Sequence, residues 1–254
     1  MPRPAGSAVD KALDLIESTA RADRPLRLTE LANETGMHRA TAYRILVDLV
    51  RRGWIMRSED RYLPGPVVLR FSQAAAAGSL AVLGRPVLQS LADRTGMMVN
   101  LQVLEPEGGR VIDAVRPPRL AMFTDLLGEL LPVHTFAGPL ALVSALDEPA
   151  RVPYLRAAER QGHPPSGRAG LLADIERTRR TGFALQRGRN DEVIASLSRA
   201  VVAGGGRPLC AITVVGLDSE FDDPAQAELQ EHLAAAAAEL ERALAGPGAG
   251  AGHD

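Results

Sequence analysis

Leu28-Thr-Glu-Leu-Ala-Asn-Glu-Thr-Gly-Met-His-Arg-Ala-Thr-Ala-Tyr-Arg-Ile-Leu46 reads as a short helix, a glycine turn and a second helix. In the first arm Thr29 stands where an N-cap is needed, and Leu31 and Ala32 supply the apolar side. Gly36 then offers the left-handed residue on which such a helix stops. The second arm extends from His38 to about Arg52 and ends at Gly53. Its apolar residues Ala42, Ile45, Leu46 and Leu49 recur at helical spacing, which leaves Arg39, Ala40, Tyr43, Arg44 and Val47 off the stripe. Forked guanidinium donors at Arg39 and Arg44, the Thr41 hydroxyl and the polar tip of Tyr43 are the groups that reach base edges and phosphates from a helix. The plain alternative is a structural helix pair whose arginines are merely solvated.

Working outward, a helix over Val9–Arg21 turns Val9, Ala12, Leu13, Ile16 and Ala20 to one side and Asp10, Lys11, Asp14 and Glu17 to the other. Downstream, Trp54–Arg57 and Arg61–Leu63 flank the turn-prone Ser58-Glu59-Asp60. Helix, helix, glycine turn, helix, hairpin is the order of a winged helix-turn-helix. Arg57, Arg61 and Tyr62 then sit where a wing would touch the neighbouring backbone or minor groove. Pro64-Gly-Pro66 punctuates the hairpin. A connecting helix from Val67 to Ala77 carries Val68, Leu69, Phe71 and Ser72, and a further helix runs from Leu80 to about Thr95. With no Gly/Ser linker in between, the connecting helix is the expected lever between domains.

Beyond Gly96 the period changes to two. Met98–Glu105 and Arg110–Arg116 flank a hairpin turn at Pro106-Glu-Gly-Gly109, and Leu120–Leu126 reads as a further extended piece. Helices are expected after His134 to about Leu146 and over Ala169–Arg180, the latter stopped by Gly182. Phe183–Arg187, Ser196–Ala203 and Pro208–Gly216 read as strands, the last two joined at Gly204-Gly-Gly-Arg207. A closing helix spans Pro224–Ala245, and the tail is low in complexity. This is an α+β chain: a small helical domain, then a mostly antiparallel sheet with helices.

Composition narrows the classes. The 254 residues suit a small domain beside a medium one, and 46% hydrophobic residues can fill both cores. Residues 1–78 hold twelve Arg or Lys against nine Asp or Glu, a net of +3; the remainder carries −5, within an overall −2. A basic small domain beside an acidic larger one suits a DNA-binding module with a separate sensor. The N-terminus lacks the pattern of a signal peptide, and no run of 18 apolar residues spans a membrane, so a cytoplasmic protein is expected.

Sites of chemistry are scarce. A single cysteine, Cys210, excludes an internal disulfide and any multi-cysteine zinc site, and by strand alternation it faces away from Thr213 and Val215. The five histidines show no metal-ligand spacing. His134 has no cysteine, serine or acid partner at a recognisable spacing and reads as a fold-stabilising residue. Gly204-Gly-Gly206 lacks the Lys-Ser/Thr of a phosphate loop. Asp174, Glu176, Arg177, Arg179 and Arg180 read as a solvated helix face. No catalytic residue, metal or cofactor is expected; an enzyme with an accessory helix-turn-helix is the rival class, and it would need a nucleophile elbow, metal cluster or acid/base pair.

The helix-turn-helix block resembles the IclR family of bacterial regulators. So do Gly53-Trp-Ile55, Arg61-Tyr-Leu-Pro-Gly65, Leu131-Pro-Val-His134, Arg180-Thr-Gly-Phe-Ala184 and Ile212-Thr-Val-Val-Gly216, which together span roughly residues 8–245. The resemblance implies a winged helix-turn-helix over residues 1–65, a linker helix over 66–79 and a GAF-like effector-binding domain over 80–246, while the composition of residues 247–254 itself predicts a disordered tail. It implies double-stranded DNA with a palindromic operator as partner, a homodimer or homotetramer, and a small organic effector, often a carboxylate. On this chain the implied effector wall falls on Leu120, Phe123 and Leu131, with the pocket loop at Ala137 and Gly138. Ser196, Thr213 and Val215 take the strand positions, and Gln186 is a looser match. Two departures stand out: Pro139-Leu140 replaces a Gly-Lys pair, and Arg187-Gly-Arg-Asn-Asp-Glu-Val193 replaces a loop of paired acids. Both point to a larger or more apolar ligand than a two-carbon keto acid.

Overall fold

The computed structural model of the chain describes residues 7–70, 76–163, 166, 170–202 and 206–245. The chain divides into two compact units, residues 1–76 and 77–254.

The first unit begins with α1 (Ala8–Arg21), β1 (Leu26–Arg27), α2 (Leu28–Glu34) and α3 (Arg39–Arg51). It ends with β2 (Ile55–Ser58), β3 (Arg61–Pro64) and α4 (Pro66–Arg70). A capping box starts α1: the Asp10 amide donates to Ser7 Oγ and the Ser7 amide to Asp10 Oδ2. The α1 face differs from expectation. Leu15, Ser18 and Thr19 are buried, whereas Val9 and Leu13 are 66% and 50% exposed. Ala12 and Ile16 of the expected stripe do pack against the core, but the buried face is turned toward Leu15, and Thr19 can turn inward because its hydroxyl donates to the Ile16 carbonyl. Thr29 is likewise not the cap of α2, which already starts at Leu28; there the Glu30 carboxylate accepts from the Arg27 amide at 2.7 Å. Gly36, at φ +66°, makes the turn into α3. The three strands form a sheet in the order β1-β3-β2, all antiparallel. β1 is too short to show in the sequence pattern. Leu15, Leu31, Ala42, Leu46, Ile55 and Tyr62 centre the core.

The second unit opens with α5 (Ala76–Thr95), β4 (Met98–Glu105) and β5 (Gly108–Val115). Residues 76–79, expected in the linker helix, are the first turn of α5, because Gly78 weakens a helix without ending it. Residues 71–75, with Phe71 and Ser72 of the expected lever, lie outside the described residues, as do the Gly204-Gly205 part of the glycine turn, Ala169 and the tail. The piece over 120–126 is no strand: Pro117-Pro118 lead into a 3-10 turn ending at Leu120, and the outer partner of β5 is the two-residue β6 (Leu130–Leu131). Next come α6 (Ala137–Ser144), α7 (Glu148–Arg160) and α8 (Leu171–Thr181). α7 escapes the sequence reading because Pro149 and Pro153 look like breakers. Pro149 occupies the first turn, where no intrahelical amide bond is lost, and only Pro153 removes one. The chain continues through β7 (Ala184–Arg187), β8 (Ile194–Val202), β9 (Pro208–Leu217) and α9 (Asp223–Ala245).

Six strands form one sheet in the order β6-β5-β4-β9-β8-β7, every pairing antiparallel. Strand alternation sorts its faces. Val99, Leu101, Leu197, Cys210, Ile212 and Val214 pack with Leu88 and Leu91 of α5 and Leu233 and Leu240 of α9. The opposite face carries Ala184 and Ala211 against Leu140, Ala141, Leu171 and Ile175 of α6 and α8. That second face also holds the buried polar residues Asn100, Gln102, Gln186, Ser198 and Thr213. Five polar side chains buried on one side of a sheet need hydrogen-bond partners there.

Candidate functional site

In the first unit the outer side of α3 is open. Arg39, Ala40 and Arg44 are exposed, Tyr43 is 47% and Val47 48% exposed, and Thr41 is half-buried. His38 caps the helix without a side-chain bond, so the first-turn amides of Arg39 and Ala40 are free to meet a phosphate. Ion pairs in this unit engage Arg21, Arg24, Arg27 and Arg51. Among the described residues Arg39 and Arg44 have none, so their forks are available.

The wing is less open. Arg57 is exposed, and its Nε donates to the Glu59 carbonyl at 2.8 Å. Arg61 Nη1 donates to the Pro25 carbonyl at 3.1 Å, which ties it to the turn before α2. Tyr62 corrects the sequence reading. It is 4% exposed, because alternation along β3 puts the ring on the core side with Leu26, its partner in β1, and the Arg57 guanidinium lies 5.9 Å from the ring centroid. Of the three wing residues Arg57 is open, Arg61 is half-buried and tied to Pro25, and Tyr62 is buried.

In the second unit one cavity of about 120 Å³ lies between the polar sheet face and the start of α6. By that measure one water needs only ~10–15 Å³, so a small organic molecule has room. Phe123, Leu131, Ala137 and Gly138 line it, together with Gln186, Ser196, Thr213 and Val215. Leu120 does not reach it and packs behind, with Met98 and Phe123. Ala137 and Gly138 are the first turn of α6 rather than a loop. The reason for Gly138 is visible: a Cβ there would stand 2.2–2.5 Å from the Gln102 amide group.

Asn100, Gln102 and Arg189, which the sequence reading missed, also line the cavity. The signal was present for the first two: they alternate with Val99 and Leu101, polar residues on the buried face of a strand. Gln102 Nε2 donates to Asn100 Oδ1 at 2.7 Å and to Thr213 Oγ1 at 3.4 Å; Thr213 donates to Ser198 Oγ, which donates to the Ile212 carbonyl. Two of the buried unpartnered atoms belong to residues that line this cavity, Gln102 Oε1 and Gln186 Nε2. A ligand with both an acceptor and a donor would satisfy them. The Arg189 guanidinium donates to the His134 carbonyl at 2.9 Å and stands 2.6 Å from Asp174 Oδ2, which is buried. The latter contact is an ion pair rather than an aligned hydrogen bond. The cavity wall is mostly apolar, with this cation and these amides as polar points on it.

His134 is buried and stacks on His163, ring centroids 3.8 Å apart. Burial first, then His163 and Arg189, hold its imidazole below the usual histidine range. No group of three or more metal-ligating side chains occurs among the described residues. Cys210 lies on the opposite sheet face, fully buried, and burial pushes its thiol up to about 12.

Comparison with known proteins agrees with both halves. A family model described as the IclR helix-turn-helix domain matches residues 8–59, and one described as bacterial transcriptional regulator IclR C-terminal matches residues 73–242. The HTH-type transcriptional regulator XynR of Escherichia coli K12 is 24% identical over 250 residues, covering 96% of this chain and 99% of that protein. The acetate operon repressor of Salmonella typhimurium is also 24% identical over 250 residues, covering 94% and 90%. Among solved structures, an IclR-family regulator from Rhodococcus sp. superposes with a TM-score of 0.73 at 23% identity, over 95% of this chain and 96% of the other. The Thermotoga maritima IclR superposes at 0.60 and 21%, over 93% and 98%.

Proposed function

The chain belongs to the IclR family of bacterial transcriptional regulators, with a helix-turn-helix DNA-binding domain and a C-terminal effector-binding domain, and we propose that α3 is the helix it lays in the major groove of a palindromic operator. The observation that carries this reading is the open face of α3, with unpaired Arg39 and Arg44 and free first-turn amides. Residues 1–65 supply the DNA-binding function and 76–246 the sensing function, in the cytoplasm, with 66–75 as the connection. No helix among the described residues is long and apolar enough to cross a membrane.

A palindrome calls for two copies. Val9 and Leu13, one turn apart and exposed on α1, are an apolar stripe that a second copy can cover. The effector is a small carboxylate that also carries a hydroxyl, which can both donate and accept. Its carboxylate meets Arg189 and the uncapped first turn of α6, and its other groups meet Gln102 Oε1 and Gln186 Nε2. Such a ligand acts on DNA only through unequal affinity for two arrangements of the dimer. The relative named a repressor supports release of an operator as one readout.

Selection of binding sites from random duplex DNA, followed by footprinting, tests the reading. The expected result is two inverted half-sites about one helical turn apart, or a multiple. Protection of a single half-site by a monomer would overturn it.

A further inference from the structure

A second cavity, of about 320 Å³, lies on the same domain at the other end of α6. α6 and α8 both end there, and β8 runs past β7, whose pairing stops at Ala184 opposite Ser198. Its lining gathers three arginines: Arg151 from α7, Arg179 from the last turn of α8 and Arg199 from β8. Arg151 is 8% exposed. Its Nη2 donates to the carbonyls of Ser144 and Leu146, which closes α6, while its Nε has no partner among the described residues. Ser144, 4% exposed, also lines the cavity, and its hydroxyl is unpartnered too. Arg199 rests on the Phe183 ring, its guanidinium carbon 5.0 Å from the centroid.

None of the three arginines has a paired carboxylate among the described residues. Ion pairs on α8 engage Arg177 and Arg180 instead, and no described carboxylate lies within ion-pairing distance of Arg151, Arg179 or Arg199. Asp147, Glu148 and Glu176 act on Arg151 only at longer range. The ends of α6 and α8 contribute roughly half a negative charge each, against three positive ones. A buried cation with an idle donor beside an idle buried hydroxyl is a high-energy arrangement unless an anion completes it. Arginine forks match the oxygens of a phosphoryl group, and the volume exceeds what a bare oxyanion occupies.

We propose that this cavity binds a small phosphate monoester, its phosphoryl group held by Arg151, Arg179, Arg199 and the Ser144 hydroxyl. The organic part lies toward Ala141, Ala145 and Ala200 on the remaining wall. This site is separate from the cavity at the start of α6 and does not depend on what binds there.

Calorimetric titration of the full chain in phosphate-free buffer tests it, with glycerol 3-phosphate and inorganic phosphate as probes. The expected result is saturable binding of one glycerol 3-phosphate per chain, tighter than inorganic phosphate. Arg179→Gln and Arg199→Gln should each weaken it by about ten- to a hundredfold, the loss of a charged hydrogen-bonding partner. Both positions lie outside the buried core, and circular dichroism checks that the variants fold. Arg180→Gln, on the same helix outside the cavity, and Arg44→Gln, on the DNA face, should leave affinity unchanged. No saturable binding at millimolar probe would overturn the proposal. So would equal affinity in wild type and the two cavity variants, or loss in the Arg44 variant. Inorganic phosphate binding as tightly as the ester would overturn the monoester class.

Discussion

Arg189 holds three things at once: the His134 carbonyl, the buried Asp174 carboxylate and one wall of the ligand cavity. Lysine keeps the charge but not the fork, so Arg189→Lys should weaken a carboxylate effector about tenfold while operator binding persists. Titration calorimetry beside an operator shift on the same preparation checks it; unchanged ligand affinity would remove Arg189 from the site. On the other unit, Arg44→Ala should cost about 1–3 kcal/mol of specific DNA binding if its fork reads a guanine. Fold stability should move by less than about 0.5 kcal/mol, since the side chain lies off the core. Tyr62→Ala is expected to do the reverse, losing about 3–5 kcal/mol of stability because the ring is buried among Leu15, Leu26 and Ile55. Urea unfolding of the two variants separates the roles.

At the scale of elements, strands β4, β8 and β9 share one chain of donors, Gln102 to Thr213 to Ser198 to the Ile212 carbonyl. Thr213→Val keeps the shape but leaves Ser198 and Gln102 short of a partner. It should therefore cost about 1–3 kcal/mol of stability even without ligand, which a denaturant midpoint reads directly. Helix α6 meets the same network at Gly138, whose missing Cβ makes room for the Gln102 amide. Gly138→Ala would push that amide away from Asn100 and Thr213 and disturb the cavity from the helix side. The effector response should fall with no change at α3. A wild-type ligand response in this variant would mean that Gln102 takes no part.

For the molecule as a whole, protons report on folding. Because His134 is held below the usual histidine range, the unfolded chain takes up its proton first as pH falls through about 6.5. Stability therefore falls from there until the folded-state value is passed, below which this group adds no further slope. Glu30, lowered to about 2 by Arg24 and the Arg27 amide, acts further down: its contribution is present above the usual carboxylate range and is lost as pH falls toward 2. Unfolding curves between pH 5 and 8 should show the first slope, and His134→Gln should flatten it; an unchanged slope would assign the effect elsewhere. Cys210 gives a second global probe. With its thiol pushed to about 12 inside the core, it should resist alkylation at pH 8 and react only as the domain unfolds.

The sequence by itself determined the helix-turn-helix, the hairpin and the alternation of the larger sheet. Helix period, a turn glycine at φ +66° and strand alternation are short-range properties, written within a few residues of where they act. The family resemblance pointed to Phe123, Leu131, Ser196 and Thr213, and all four line one cavity, although Phe123 stands in a loop rather than the expected strand. Contacts that join distant segments were decided only by the tertiary structure. Asn100 opposes Thr213 across β4 and β9, Arg189 finds Asp174 on α8, and Arg151, Arg179 and Arg199 converge from three elements. Helical period misplaced part of the buried face of α1, and nothing local revealed the two-residue β1 whose buried Leu26 stands opposite Tyr62. Local geometry is fixed by each residue's own sterics and those of its near neighbours, whereas burial and charge pairing depend on which surfaces the folded chain brings together.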